Sequence, residues 1–409
     1  MTTILITGGL GAVGAPLAQE LQRRGHSVWV CDLPHSEGPN YIRCDVSDFR
    51  QLQRVFERID FELVYHLAAE FGRWNGEDYY EKVWLSNAIG TKNILRAQEQ
   101  RRFRMVFTSS SEVYGDWGDI MTEDVLMKYP IRQMNDYAIS KWVNEMQIMN
   151  SADRFGTETV RVRLFNTYGP GEYYSEYRSV VCQFVYRALH NLPYTVYLDH
   201  HRTSSYIDDT VRTMANIAEP ERFKSGEAYN IAGDEYHDIK SLSDMILNCL
   251  GKDDRHVSYV PLEAHNTRDK KADTSKAVRD LDHHSTVPLS VGIQYTINWQ
   301  KEVYHCDIDN RGRSGPWGLP KSHALARLYH RQPVLARSQR PQYGGGQRLY
   351  ALLGRCVCGA RRQEHGPQHH AHGRADRGHA CPTGNRIAQR PQYVAIRPPP
   401  ALYLCRRPV

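Results

Sequence analysis

The sequence predicts an α/β fold in which a doubly wound parallel sheet precedes a smaller α/β domain. Three observations predict it. Apolar runs typical of strands alternate with helix-length segments up to about residue 170. The first run, residues 4–6, leads into a glycine-rich turn and then a helix, and the second run ends in an acid, Asp32. Such alternation is typical of parallel sheets whose crossover connections are helices.

The predicted elements follow this alternation in order. The predicted strands span residues 3–7, 27–31, 62–67, 103–108 and 159–164. The predicted helices span residues 15–24, 48–58, 78–100 and 136–155, and then 176–190, 208–218 and 240–250. The rhythm loosens after residue 170, which favours a substrate-binding C-terminal domain over the carboxyl edge of the sheet, where ligands of such sheets bind. We therefore predict domains at residues 1–170 and 171–306, with some later segments returning to the first, and a tail at 307–409.

The turn after the first strand carries Gly8, Gly11 and Gly14 in the pattern G-x-x-G-x-x-G. Glycine allows a tight turn and lets a pyrophosphate approach the first N–H groups of the helix. Asp32 ends the second strand, where a carboxylate accepts hydrogen bonds from both adenosine ribose hydroxyls and repels a 2′-phosphate. The pattern predicts a Rossmann unit that prefers NAD to NADP. The alternative is a glycine turn in an α/β protein without a cofactor.

The charge is unevenly distributed along the chain. Residues 307–409 hold 17 arginines and one lysine against four acids, a charge of +14, so residues 1–306 carry −8 of the overall +6. The tail is rich in Gly, Pro, Gln, Arg and His, a composition that favours disorder. Its arginine bias also suggests a reading-frame change after about residue 306. Cys356 and Cys358 with nearby histidines match no trusted zinc pattern, so we predict no metal and no specific nucleic-acid binding.

The remaining composition points to a cytoplasmic protein. No run of 18 apolar residues is present, and the N-terminus lacks the pattern of a signal peptide. The cysteines of the first 306 residues are scattered without metal-ligand spacing, which favours a reducing compartment. We expect no membrane partner.

Tyr137 and Lys141 are four residues apart on a predicted helix, so they share one face. A phenol with a pKa near 10 is a poor base at neutral pH, but a neighbouring ammonium and a cationic nicotinamide favour the phenolate. The pair can then remove a hydroxyl proton while a hydride leaves for the cofactor. The segment Ser110–Ser111–Glu112 ends a predicted strand, so its hydroxyls face the same crevice.

These motifs resemble the extended short-chain dehydrogenase/reductases of the nucleotide-sugar epimerase/dehydratase family. The resemblance covers about residues 1–305 and includes the segments around His66, Asn87 and Asn166. It implies catalysis by Ser110, Ser111, Glu112, Tyr137 and Lys141, and dimerisation through the helices near 78–100 and 136–155. The cofactor residues it implies are Gly8, Gly11, Ala12, Val13, Gly14, Asp32, Asp45, Val46, Leu67, Ala68, Ala69, Asn87, Tyr137 and Lys141.

The substrate residues are predicted with less uniform support. By the resemblance, Ser110 bonds the sugar O4, Asn166 contacts the substrate diphosphate, and Arg202 matches the family's diphosphate-binding arginine, although the loop before it is short. A guanidinium fork suits a diphosphate. Ser111 stands where some sugar dehydratases carry an acid. Arg178 and Tyr173 are candidate contacts from an unusually aromatic segment, which is equally compatible with ordinary packing.

Family members share an NAD-dependent oxidation at C4 and differ in the step that follows. Glu112 lies two positions after Ser110, where dehydratases and decarboxylases carry glutamate, and strand geometry would place both residues on one face. We therefore predict 4,6-dehydration or decarboxylation of a nucleotide sugar. A 4-epimerase and a catalytically inactive NAD-binding scaffold are the alternatives. Lys270 replaces an arginine expected of decarboxylases, which weakens that reading.

Overall fold

The computed structural model describes residues 1–305, and the predictions for the tail 307–409 lie outside this range. The strands run in chain order as follows: β1 (Thr3–Thr7), β2 (Ser27–Asp32), β3 (Tyr41–Arg43), β4 (Leu63–His66), β5 (Arg104–Ser110), β6 (Thr159–Leu164), β7 (Thr167–Tyr168), β8 (Tyr194–Tyr197), β9 (His201–Thr203), β10 (Ser205–Tyr206), β11 (Ala228–Ile231), β12 (Tyr236–Asp238), β13 (Val257–Val260) and β14 (Asp269–Lys270).

The helices lie between these strands. They are α1 (Gly14–Arg23), α2 (Phe49–Arg58), α3 (Arg73–Asp78), α4 (Tyr80–Val83), α5 (Gly90–Arg101), α6 (Val125–Lys128), α7 (Asp136–Phe155), α8 (Val180–Leu189), α9 (Ile207–Asn216), α10 (Ile239–Leu250), α11 (Ser275–Leu281) and α12 (Leu289–His305). A π-helical segment, Trp84–Ile89, joins α4 to α5, and a 3₁₀ turn, Ser111–Tyr114, follows β5.

Seven parallel strands form the main sheet in the order β3-β2-β1-β4-β5-β6-β11. The order reverses direction between β1 and β4, which creates a crevice at the carboxyl ends of the strands where such sheets bind their ligands. This arrangement confirms the predicted doubly wound Rossmann sheet. It also includes β11, which joins the sheet from beyond residue 170.

The alternation of side chains along β1 divides the core between the two faces of the sheet. Ile4 and Ile6 pack into one buried cluster with Leu17 of α1, and Leu5 packs into the cluster on the other face with Leu52 of α2. Because successive strand residues point to opposite faces, a run of three apolar residues requires helices on both sides.

Two predicted helices differ from the observed ones. The helix predicted at 78–100 is instead α4, the π-helical segment and α5, preceded by the separate α3. Tyr79, at φ −140° and ψ 53°, separates α3 from α4. The helix predicted at 176–190 begins only at Val180, because Ser179 caps it by accepting from the Cys182 N–H at 3.2 Å. The first prediction is wrong because the backbone leaves the helical conformation at Tyr79, and the second because a side-chain cap at Ser179 starts the helix later.

Smaller sheets occupy the region after residue 170. β9 pairs with β12 and with β14, which sets Lys270 beside Arg202 in the register. β13 pairs with β8, and β10 pairs with β7. The boundaries predicted at residues 170 and 306 stay predictions. Over residues 1–305, no helix has the length and apolar character needed to cross a bilayer.

Candidate active site

The glycine turn is folded tightly against the end of β2. The N–H groups of Gly8 and Gly9 donate to the Cys31 carbonyl at 2.8 and 3.3 Å. Gly8 has φ +68°, and a Cβ there would lie 2.7 Å from the backbone nitrogen of Ala68. At Gly11 a Cβ would lie 3.2 Å from the Gly8 carbonyl oxygen, a tight contact, so the turn is closely folded at this residue too.

Asp32 links this turn to the end of β2. Its Oδ2 accepts from the Leu10 N–H at 2.9 Å, and its Oδ1 accepts from the Leu33 N–H at 2.7 Å. Burial raises the pKa of Asp32 above its ordinary value, and the two backbone hydrogen bonds oppose that shift. Each carboxylate oxygen keeps further lone-pair capacity, so the group can hold the turn and also accept from a ribose hydroxyl.

The other predicted cofactor residues lie at the carboxyl ends of neighbouring strands. Asp45 accepts from the Ser47 backbone and hydroxyl at 2.9 and 2.7 Å, just after β3, and Val46 is buried beside it. Leu67, Ala68 and Ala69 follow β4 and are half-buried.

Asn87 is fully buried within the π-helical segment. It exchanges hydrogen bonds with the Glu70 backbone at 2.9 and 3.0 Å and donates to Ser140 at 2.9 Å. Its side chain therefore holds the segment after β4 against α7.

Helix α7 begins with a side-chain cap that places Tyr137 in its first turn. The Asn135 Oδ1 accepts from the Ala138 N–H at 2.9 Å. One turn later, the Lys141 Nζ donates to the Thr108 carbonyl of β5 at 2.8 Å and lies 6.0 Å from the centre of the Tyr137 ring. The two side chains share one helix face, as the spacing predicts.

The protonation of this pair is set by burial. Burial raises the pKa of Tyr137 to about 12, while a hydrogen bond with Ser110 acts in the opposite direction. Burial lowers the pKa of Lys141 to about 8, and the charge of Glu145 opposes that shift. In the protein alone Tyr137 is therefore a phenol, and its use as a base requires added positive charge.

The strand argument that placed Ser110 and Glu112 on one face is wrong. β5 ends at Ser110, and Glu112 lies in the 3₁₀ turn that follows. Ser110 caps this turn by accepting from the Glu112 N–H at 3.2 Å, and Ser111 is buried between them. Glu112 nevertheless lies close enough to Tyr137 for the charge of its carboxylate to raise the pKa of that residue.

Glu112 forms an ion pair with Lys270 of β14. Burial acts to raise the pKa of Glu112, but the ammonium of Lys270 outweighs it and holds that pKa below its usual value. Two further cations, Arg202 and Arg73, act in the same direction. The Oε2 of Glu112 is buried and has no hydrogen-bond partner among residues 1–305.

Arg202 lies beside this pair on β9 and is buried. Its Nη1 donates to the carbonyls of His201 and Arg268 at 2.7 and 2.9 Å. Across residues 1–305, no carboxylate oxygen lies within 4.0 Å of its guanidinium. A buried arginine held only by carbonyls retains the capacity to bind an anion.

Comparison with known proteins identifies the family. A profile described as the NAD dependent epimerase/dehydratase family matches residues 4–232, more than half of the chain. The chain belongs to this family. That result confirms the predicted family, the use of NAD and the identification as an enzyme.

Individual relatives agree. The chain is 29% identical over 318 residues to a UDP-N-acetyl-alpha-D-glucosaminuronate decarboxylase of Bacillus cytotoxicus, covering 73% of this chain and 98% of the relative. It is 27% identical over 329 residues to a UDP-glucuronic acid decarboxylase of Xenopus tropicalis, covering 74% and 73%. A solved epimerase from Methanothermobacter thermautotrophicus matches with a TM-score of 0.68 at 26% identity, covering 74% and 93%.

The residues of this family member fit NAD. The turn is compact, because a Cβ at Gly8 would lie 2.7 Å from the Ala68 backbone nitrogen and a Cβ at Gly14 would collide with the Gly8 carbonyl oxygen. A glycine turn of this kind at the start of a helix suits the close approach of a pyrophosphate. Asp32 presents a carboxylate at the position that suits a ribose without a 2′-phosphate. Over residues 1–305, no group of three or more His, Cys, Asp or Glu side chains is arranged to hold a metal ion.

The predicted substrate residues outside β9 differ in whether their polar atoms already have hydrogen-bond partners. Asn166 has φ +40°, and its Oδ1 is buried without a hydrogen-bond partner in the described residues. Arg178 lies 4.2 Å over the Phe71 ring, and its Nε is likewise unpartnered. Tyr173 is 39% exposed and packs edge-on against Trp299, so packing accounts for much of its surface. Substrate roles for these residues stay predictions.

The structure also reveals charged residues that the motifs did not identify. Arg73 of α3 pairs with Glu77 at 3.1 Å and with Glu263, and its charge reaches Glu112. It lies in a segment without a recognisable motif, so no sequence signal marked it. Glu145 did have a signal, since it continues the four-residue spacing of Tyr137 and Lys141.

Proposed function

We propose that this enzyme modifies a nucleotide sugar through a 4-keto intermediate and then removes carbon dioxide or water from the sugar. The observation that carries the proposal is Glu112, held as a carboxylate by Lys270 beside Ser110 and Tyr137. An epimerase needs only the hydride transfer, whereas an ionised acid at this position supports a second step at C5 or C6.

The first step belongs to Ser110, Tyr137 and Lys141. NAD bound along Gly8–Gly14 supplies a hydride acceptor for C4. Tyr137 Oη takes the proton of the C4 hydroxyl, and Ser110 keeps that oxygen aligned by hydrogen bonding. Lys141 and the positive charge of a bound nicotinamide together stabilise the phenolate, because Tyr137 in the protein alone has a pKa of about 12.

Decarboxylation has the broader support for the second step. Lys270, Arg202 and Arg73 all place positive charge near Glu112, although Arg73 also pairs with Glu77 and Glu263, and this charge favours an additional anionic group such as a sugar carboxylate. The 4-ketone then accepts the electrons of the C5–C6 bond as carbon dioxide leaves. The two curated relatives described above carry decarboxylase names. Lys270 supplies the cation expected at this position in place of arginine.

Dehydration is the second candidate, favoured by one detail of Glu112. Its Oε2 has no hydrogen-bond partner within residues 1–305, and its pKa lies below the usual value. A free, ionised carboxylate oxygen can remove a C5 proton that a 4-ketone has made acidic. The same residue therefore serves either reaction, and the substrate decides between them.

The nucleotide end is assigned to the region around Arg202. In the part of the chain that the structure describes, the Arg202 guanidinium has no carboxylate partner within 4.0 Å and the Asn166 amide oxygen has no hydrogen-bond partner. We assign the diphosphate to Arg202 and Asn166, with Arg178 and Tyr173 as further contacts. Ser111 is assigned to the sugar.

We also propose that the chain acts as a homodimer in the cytoplasm. Leu85 and Ile89 of the π-helical segment and Ile139 and Met146 of α7 are exposed apolar residues on the helices that the resemblance assigns to dimerisation. The cysteines Cys31, Cys44, Cys182 and Cys249 are free, which suits a reducing compartment. Sedimentation of the purified chain tests the dimer.

Product analysis tests the reaction. The enzyme with NAD is incubated with UDP-, GDP-, dTDP- and CDP-linked sugars and uronates, and the products are weighed by mass spectrometry. Loss of carbon dioxide supports decarboxylation, loss of water supports dehydration, and an unchanged mass with an altered C4 supports epimerisation. If no sugar is altered although NAD binds, the inactive scaffold is the better interpretation.

A further inference from the structure

A buried ion pair joins α7 to the sheet one turn beyond Lys141. The Glu145 carboxylate accepts from Arg163 Nε at 2.9 Å and Nη2 at 2.8 Å, a bidentate contact. The Ser109 hydroxyl, next to Ser110 in β5, donates to the same carboxylate at 2.6 Å. The Glu145 side chain is 0% exposed and that of Arg163 is 2% exposed. The pair therefore links the helix of Tyr137 and Lys141 to β5 and β6.

The hydrogen bonds continue towards Glu112 and Lys270. Arg163 Nη1 donates to the Tyr114 hydroxyl at 2.9 Å, and that hydroxyl donates to Asn230 Oδ1 at 2.7 Å. The Asn230 amide then donates to the carbonyls of Met121 and Asp273 at 2.8 and 3.1 Å. Tyr114 closes the turn that holds Glu112, and Asp273 follows Lys270 by three residues. One hydrogen-bond network thus connects the Glu145–Arg163 pair with the turn that contains Glu112 and with the segment that follows Lys270.

Every polar group of the ion pair is partnered. No atom of Glu145 or Arg163 is among the buried side-chain atoms of residues 1–305 that lack a hydrogen bond. Burial acts to raise the pKa of Glu145, but Arg163 outweighs it and holds that pKa below its usual value. Both groups are therefore charged at neutral pH, and such a complete pair resists displacement.

The Lys141 ammonium is buried, so a nearby negative charge is needed to keep it protonated. Its Nζ lies 5.2 Å from the Phe107 ring centre, and among residues 1–305 its one hydrogen-bond acceptor is the Thr108 carbonyl. Burial lowers the pKa of the facing His66 to about 3, so that imidazole is neutral. The titratable and charged groups around Lys141 are His66 on β4, Tyr137 and Glu145 on α7, and, through Glu145, Arg161 and Arg163 on β6.

We propose that Glu145, paired with Arg163, is a positioning residue that fixes the catalytic face of α7 on the sheet and keeps the Lys141 ammonium charged. The inference rests on the proposed function, because it assigns Lys141 the task of stabilising the Tyr137 phenolate. Without the negative charge, the buried ammonium loses its proton at lower pH, and Tyr137 loses the cation that makes it a base.

The test uses the double variant Glu145→Gln/Arg163→Met in the full chain, which removes both charges of the bidentate pair together. Arg161, which contacts Glu145 at 3.4 Å, keeps its hydrogen bond to the Gly226 carbonyl at 2.6 Å. The pH dependence of sugar oxidation is followed in a single turnover by the absorbance of the reduced nicotinamide. We expect the alkaline limb to move down by about one pH unit, with a loss of up to about tenfold above the new limb and an unchanged NAD affinity. An unshifted limb in a folded double variant overturns the proposal.

The matched control is Asp209→Asn/Arg212→Met. Asp209 is a buried carboxylate that accepts from Arg212 at 2.8 Å and from Thr286 at 2.6 Å, and it belongs to α9. This variant loses an ion pair with a similarly buried carboxylate but a more exposed arginine, 35% against 2% for Arg163, and should keep the alkaline limb of the unmodified enzyme. A control that shifts the limb equally would show a general effect of buried-pair loss and would contradict the specific role of Glu145.

A readout without substrate separates this proposal from the proposed function. Lys141 has a folded pKa near 8, below that of an unfolded lysine, so the unfolded chain binds more protons between these values and stability rises with pH from about 8. Lys141→Met removes this rise in thermal unfolding. In the double variant the rise should begin about one unit lower. An identical onset overturns the inference even if no sugar is turned over, and a shifted onset without turnover contradicts only the proposed function.

Discussion

Two carboxylate–cation pairs lie near the candidate site, one on α7 and one in the turn after β5, and they differ in how completely their carboxylates are hydrogen-bonded. Glu145 accepts hydrogen bonds on both oxygens, from Arg163 and from Ser109. Glu112 contacts Lys270 through one oxygen and leaves its other oxygen buried without a partner in the described residues. A completely bonded charge stabilises an arrangement, whereas an incompletely bonded one has capacity for a ligand.

The local backbone explains the difference. Glu145 lies inside α7, where the helix fixes its direction towards β6. Glu112 lies in a 3₁₀ turn that ends at Gly115, whose φ is +53°. A turn at the carboxyl edge of a parallel sheet presents its side chains to the crevice, where substrates bind. We therefore propose that the first pair holds the site together and that the second takes part in its chemistry.

The largest expected effect comes from Tyr137→Phe, which removes the proton acceptor and leaves both ion pairs intact. Turnover should fall about a thousandfold or more, because general base catalysis is worth about 10²–10⁴-fold. NAD affinity and the unfolding temperature should change little. Steady-state kinetics, calorimetric NAD binding and thermal unfolding check this. Retained turnover would show that another group takes the C4 proton.

The next effect separates the two pairs by stability. Glu145→Gln leaves Arg163 buried and unpaired, so the free energy of unfolding should fall by about 3–5 kcal/mol. Glu112→Gln leaves the buried Lys270 without its carboxylate, but burial lowers the pKa of that ammonium and a lysine, unlike an arginine, can release its proton, so the cost should be smaller. Urea unfolding of both variants measures the difference. Equal losses of unfolding free energy would contradict the proposed difference between the Glu145–Arg163 and Glu112–Lys270 pairs.

A smaller effect on turnover tests the chemical pair. Glu112→Gln should slow the reaction about a hundredfold after C4 oxidation, so that the reduced cofactor is retained on the enzyme. Glu77→Gln is the matched control, because Glu77 pairs with the nearby Arg73 at 3.1 Å but does not contact Glu112. Single-turnover absorbance distinguishes the two. Unaltered turnover in Glu112→Gln would favour epimerisation.

Local sequence patterns predicted the parts of the site that depend on neighbours in the chain. The glycine turn, the five predicted strands and the shared face of Tyr137 and Lys141 follow from short-range spacing, and the structure contains them. The pair of Glu112 and Lys270 joins residues 158 positions apart, and no periodicity encodes such a contact. The strand rule failed at Glu112 because the Ser110 hydroxyl caps a turn and ends β5 there. Contacts between residues far apart in the chain and side-chain caps therefore determine the parts of the site that sequence motifs do not predict.

Asp32 is intermediate between Glu145 and Glu112, because it is hydrogen-bonded within the protein and also has capacity for a ligand. Its substitution has the smallest expected effect. Both of its oxygens accept from backbone N–H groups, yet it lies where a ribose would bind. Asp32→Ala should weaken NAD binding about tenfold and reduce the preference over NADP, because the loss combines a looser turn with a missing acceptor. Asp48→Ala is the control: Asp48 also accepts from two backbone N–H groups, at the start of α2. It should cost about 1 kcal/mol of stability and leave cofactor choice unchanged. Calorimetric titration with NAD and NADP measures both variants, and an unchanged preference in Asp32→Ala would place cofactor choice on another residue.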